Sequence, residues 1–138
     1  AAKKIIMLKN FILLVMILMP TMVLSQDWAD DSNISEIISG KSAYADDEPL
    51  IVVEFWAKFN DANAFSDWNS VDIPYVRVDI SKAPAAKKKY KVRMAPTIIL
   101  FKDGFKEVVW KAGLDLECPV TLIELNEAIE EAKTASQF

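Results

Sequence analysis

The run Leu50-Ile51-Val52-Val53-Glu54-Phe55 constrains this chain more than any other stretch. Its apolar side chains do not alternate with polar ones. As a strand it therefore has no face to offer water, and it belongs in the middle of a sheet covered on both sides. A second strand, Tyr75 to Ile80, alternates Val76, Val78 and Ile80 with Arg77 and Asp79. Thr97 to Phe101 and Glu107 to Lys111 flank Asp103-Gly104, the turn signal of an antiparallel hairpin.

Helical patterns separate these strands. Asn33 reads as the N-cap of a helix carrying Ile34, Ile37 and Ile38, with Glu36 three residues on as in a capping box. The carboxylates and proline of Asp46-Asp47-Glu48-Pro49 end it. Ala62 to Asn69 reads as a short helix with Phe65 and Trp68 on one face, and Ala83 to Tyr90 as a helix that tolerates Pro84 in its first turn. The clearest helix runs from Pro119 to Lys133, with Leu122, Leu125, Ile129 and Ala132 at helical spacing. Strands separated by helices and closed by one hairpin predict an α/β fold: a central mixed sheet of about four to five strands with helices on both faces.

Composition narrows the chemistry. A chain of 138 residues suits one domain, and a net charge of −4 with a pI near 4.9 argues against a phosphate-binding surface, so no nucleic-acid partner is expected. Lys87-Lys88-Lys89 with Lys91 reads as a solvated helix face. The chain has no histidine and one cysteine, Cys118, which removes the His-dependent hydrolase arrangements and most zinc sites. Three glycines are too few for a phosphate-cradling loop, and Asp61, Asn63 and Asp67 lack the spacing of a calcium loop, so neither cofactor nor metal is expected.

The N-terminus is a separate object. Lys3, Lys4 and Lys9 precede the unbroken apolar stretch Phe11 to Met19, and Val23-Leu24-Ser25 follows, the three-part pattern of a secretory signal peptide. The apolar stretch falls short of the ~20 residues of a spanning helix. Residues 1–25 are thus expected to be a cleaved leader and 26–138 an exported domain, periplasmic or secreted, with no membrane contact once the leader is gone; a retained anchor is the alternative. An exported chain meets an oxidising compartment, yet Cys118 has no partner thiol in the sequence.

The landmarks Glu54, Phe55-Trp56-Ala57, Asp79, Tyr90, Arg93-Met94-Ala95-Pro96-Thr97, Phe101-Lys102-Asp103-Gly104 and Gly113 stand in an order that resembles the thioredoxin family. The resemblance runs from Asn33 to Lys133 and implies a thioredoxin-like fold. It also implies a cis peptide bond before Pro96, in a loop whose exposed backbone at Ala95 pairs with an extended substrate segment. Two departures stand out. Asn60 and Asn63 occupy the positions of the family's cysteine pair, so dithiol exchange is chemically excluded there. The interval from Asn63 to Asp79 is short, which implies a truncated active-site helix.

The resemblance therefore implies a redox-inactive protein that binds a protein or peptide segment in a groove of Trp56, Phe59, Met94, Ala95, Pro96 and Gly113. Phe65 and Trp68 either extend that patch or fill the core. The asparagines read as capping and turn residues. Glu54, the family's buried acid, reads as a retained side chain with a raised pKa unless Lys58, Lys111 or water compensates it. Cys118 stands before Pro119 at the expected start of the last helix, where the dipole favours a thiolate and the nearby acids oppose it. A monothiol oxidoreductase acting through Cys118 and a homodimer seamed by exposed aromatics are the competing readings.

Overall fold

A computed structural model describes residues 27–39 and 49–135. The leader expected over residues 1–25 and the helix stop at Asp46-Asp47-Glu48 lie outside the described residues. Five strands form one sheet: β1 (Asp27–Ala29), β2 (Leu50–Trp56), β3 (Tyr75–Asp79), β4 (Thr97–Lys102) and β5 (Phe105–Lys111). Their order is β1-β3-β2-β4-β5, with β1, β3 and β2 mutually parallel and β4 and β5 antiparallel additions. β2 lies at the centre, and its five inner residues are buried, as its unbroken apolar run requires. Asp103 and Gly104 both take positive φ, 52° and 84°, which is the two-residue hairpin geometry that Asp-Gly favours.

Each sheet face buries its own core. Val53, Phe55, Val76, Val78, Ile99 and Phe101 point to one side. There they meet Ile34 and Ile38 of α1 (Ile34–Ser39) and Ala86 of α2 (Pro84–Lys89). Val52, Tyr75, Ile98 and Leu100 point to the other and meet Leu125, Ile129 and Ala132 of α3 (Leu122–Ala135). Each fully buried Leu, Ile or Phe contributes about 1.5–3 kcal/mol, so these two layers set the stability of the domain. Among the described residues no helix is long and apolar enough to cross a membrane.

Several local expectations are corrected. The edge strand β1 is too short to show a period and adds a strand that the sequence pattern does not reveal. No helix forms over Ala62–Asn69; the connection holds 3₁₀ turns at Lys58–Asn63 and Trp68–Ser70. Asn63, Ser66, Asp67, Asn69 and Ser70 compete with helical hydrogen bonds, and Phe65 leaves the turn to be buried beside Tyr75. Trp68 packs against the same core, so neither aromatic extends a surface patch. Asn33 does not cap α1: its Oδ1 accepts from the Asp30 N–H, upstream of the helix. α3 begins at Leu122 rather than Pro119, because Thr121 and Glu124 form the capping box, with Thr121 Oγ1 accepting the Glu124 N–H and Glu124 Oε1 accepting from Thr121.

Candidate functional site

β2 delivers the chain into the first 3₁₀ turn, where Asn60 leaves helical geometry at φ −121°, ψ 26°. This bend turns its side chain inward. Nδ2 donates to the Ala95 carbonyl and the Leu116 carbonyl, each at 2.8 Å, and Oδ1 accepts from Asn63 Nδ2 at 2.8 Å. Only an amide supplies two donors and an acceptor on one short side chain. Asn60 thus ties together the turn after β2, the loop before β4 and the loop after β5, and Asn63 holds it in place. The asparagines do serve the local turn, but the main work of Asn60 is a long-range tie that its turn-forming character does not reveal.

The Ala95–Pro96 bond is cis, and the Pro96 carbonyl accepts from the Ala112 N–H at 3.1 Å. Thr97 Oγ1 donates to the Met94 carbonyl. Ala95 and Pro96 are buried and the Ala95 carbonyl already serves Asn60, which corrects the expectation of an open backbone edge at this loop. What the region does present is side chains. Phe59 is 77% exposed and Leu114 is 99% exposed, with Met94 half-buried and Gly113 open to solvent. Phe59 adjoins Asn60, Met94 adjoins Ala95, and Leu114 stands two residues before Leu116. The Asn60 tie therefore gathers the backbone that carries all three. Leu114 escapes a reading of the sequence, since an isolated leucine in a loop carries no pattern.

Trp56 is committed elsewhere. Its Nε1 donates to Asp61 Oδ1 at 2.8 Å, and its ring meets Trp28 edge-to-face with centroids 5.1 Å apart. Trp28, on the unexpected strand β1, also lies under the Arg77 guanidinium, 5.5 Å from its centroid.

Glu54 is fully buried on the α3 face of β2, directly beside Arg77 in register. Tyr75 Oη donates to Oε1, and Arg77 Nη2 approaches the same oxygen at 3.4 Å, while Glu54 Oε2 and Arg77 Nε have no partner among the described residues. Burial pushes the Glu54 pKa above the usual carboxylate range, against the lowering effects of the Tyr75 hydrogen bond and the Arg77 charge. Tyr75 is pushed up as well, first by burial and then by the Glu54 charge. The compensating groups are thus Tyr75 and Arg77, not Lys58 or Lys111. An arginine at the same parity as Tyr75, on a strand next to a buried acid, is the available signal.

Cys118 lies four residues before α3, outside the reach of its dipole. Its half-buried Sγ donates to the Val120 carbonyl at 3.4 Å, and burial raises its pKa, with smaller contributions from Glu54 and Asp67. At neutral pH it is a poor nucleophile.

The comparisons agree with this architecture. Residues of the chain are 35% identical to Thioredoxin-2 of Pyricularia oryzae over 64 positions, covering 41% of this chain and 37% of that protein. They are 39% identical to the thioredoxin of Chlamydia trachomatis over 62 positions, 42% of this chain and 60% of that one, so the matches span less than two thirds of either relative. No family model matches. Among solved structures, Schistosoma mansoni thioredoxin superposes with a TM-score of 0.55 at 19% identity, over 76% of this chain and 94% of that one. A mutant thioredoxin from Halobacterium salinarum superposes at 0.54 and 16% identity, over 78% and 90%. The fold is thioredoxin-like. Local sequence matches to thioredoxins accompany that fold, and the single cysteine of this chain lies at position 118.

Proposed function

We propose that this chain is an exported, redox-inactive thioredoxin-fold protein that binds an extended segment of a protein or peptide beside the cis-proline loop. The observation that carries the reading is the Asn60 tie. It fixes the loops around the positions of the family's thiols with hydrogen bonds instead of sulfur, and Phe59 and Leu114, carried on the tied loops, are exposed. Large apolar side chains on a rigid base serve binding rather than exchange chemistry. Since the Ala95 carbonyl is engaged, recognition falls chiefly to the side chains of Phe59, Met94 and Leu114. The half-buried thiol of Cys118, its pKa raised by burial, disfavours the monothiol alternative.

Selection of a displayed peptide library on the immobilised full chain tests the reading, with the Phe59→Asp, Leu114→Asp double variant as counter-target. Enriched peptides are expected to bind the wild type and to lose at least about tenfold on the variant, the scale of a lost apolar anchor. Equal binding to both excludes this surface. Catalysis of insulin disulfide reduction above the buffer rate would overturn the redox-inactive assignment.

A further inference from the structure

The three parallel strands end together, at Ala29 in β1, Trp56 in β2 and Asp79 in β3. Open α/β sheets bind ligands at the carboxyl ends of their parallel strands, where turns from separate strands converge. Here the ends line a cavity of about 600 Å³, within the range of small-molecule sites. Its origin is the short connection after β2. Trp28, Glu54, Trp56, Arg77 and Asp79 share the sheet face that α3 covers. However, α3 packs over Val52, Ile98 and Leu100, and the connection supplies only 3₁₀ turns. Trp28 therefore remains 49% exposed although Arg77 and Trp56 fix its ring.

The charges around these indoles are unusual in their arrangement. Lys58 and Lys82 line the same cavity as Asp30 and Asp79, and none of the four joins an ion pair among the described residues. Each aspartate commits Oδ1 to its own turn, Asp30 to Ser32 and Asp79 to Ser81, which leaves Oδ2 without a protein partner among the described residues. Opposite charges thus border one space without neutralising each other. An anion alone would meet both aspartates and a cation alone both lysines. A ligand of both signs finds a counter-charge for each.

We propose that this cavity binds a small aromatic zwitterion, an aromatic amino acid or a dipeptide bearing one aromatic side chain. The ring packs on Trp28 and Trp56, the carboxylate meets Lys58 and Lys82, and the ammonium meets Asp30 and Asp79. The site does not rest on the function proposed above, because it uses neither the Asn60 tie nor Leu114 and Met94.

The test is an NMR titration of the ¹⁵N-labelled full chain with L-phenylalanine and with glycyl-phenylalanine. Saturable shifts are expected at the Trp28 and Trp56 indole N–H and at the Asp30, Ser81 and Lys82 amides. N-acetyl-L-phenylalanine, which lacks the ammonium, and L-phenylalaninamide, which lacks the carboxylate, should each bind at least about tenfold more weakly, the scale of one lost charge-assisted contact. Asp79→Asn keeps the turn oxygen that Ser81 uses. It should weaken L-phenylalanine about tenfold while leaving N-acetyl-L-phenylalanine no weaker. Absence of saturable shifts at these groups with either probe up to about 10 mM overturns the proposal. So does equal affinity for the zwitterion and its two blocked analogues.

Discussion

Asn60 shows how one side chain can order several loops at once through hydrogen bonds. Removing it by Asn60→Ala leaves the carbonyls of Ala95 and Leu116 and the amide of Asn63 without their partner. Because these groups are wholly or partly buried, the loss is expected to be about 2–4 kcal/mol, read as a lower urea midpoint with unchanged slope. A loss under about 0.5 kcal/mol would mean that water replaces the tie. Glu54 gives a second prediction, in pH. Burial raises its folded pKa above the unfolded value of 4.5, so the fold favours the protonated acid. That contribution is complete below about pH 4.5 and is lost as pH rises through the folded pKa. Glu54→Gln lacks the titration. Whatever the fixed cost of leaving Arg77 without its carboxylate, wild-type minus variant stability should fall across this window and level off above it. A difference that rises with pH instead would show that the Tyr75 and Arg77 contacts outweigh burial.

At the scale of elements, what is legible in the sequence depends on length and period. β2, the β4–β5 hairpin, α2 and α3 carry runs long enough to show a period, or turns that fix the register. The three-residue β1 does not, and it holds Trp28, so half of the aromatic pair at the strand ends leaves no trace in the pattern. Glu54, Asn60 and Cys118 stand out as positions, but their partners do not, because Asn60 to Leu116 and Glu54 to Arg77 are contacts that only folding creates. A further contact of this kind anchors α2. The Asp31 carboxylate, in the loop after β1, accepts the Ala85 and Ala86 N–H groups at 3.0 and 2.8 Å. Ala83, in the N-cap position itself, offers no side-chain acceptor. Asp31→Ala should therefore cost about 1–2 kcal/mol, the range for a lost cap, although Asp31 lies 54 residues upstream of Ala85. Hydrogen exchange localises the effect: the α2 amides should lose protection more than those of α3. Equal loss in both helices would mean that the substitution acts on the whole fold.

The whole molecule bears on where a leader over residues 1–25 could be removed without harm to the fold. β1 starts at Asp27, and although short it places Ala29 in the core and Trp28 against Arg77 and Trp56. It pairs with β3 at Asp27↔Val76, Trp28↔Arg77 and Ala29↔Val78, so it completes one edge of the sheet. A leader cleaved after Ser25 leaves this strand whole, with Gln26 as the new terminus. Cleavage beyond Trp28 would remove the ring that Arg77 and Trp56 hold and would expose the β3 edge to pairing with other chains. A cut after Ser25, the one expected of a secretory leader, is thus compatible with the fold. Expression of the full sequence in a secreting host, with mass spectrometry of the exported product, should give a chain beginning at Gln26. A truncated chain beginning at Asp30 should be less stable by about 2–4 kcal/mol, the scale of losing a buried residue and an aromatic pair. Recovery of the intact chain with residues 1–25 still attached in the membrane fraction would instead make the apolar stretch an anchor, and the domain a tethered one. An exported product starting beyond Ala29 with full stability would show that β1 adds nothing to the fold.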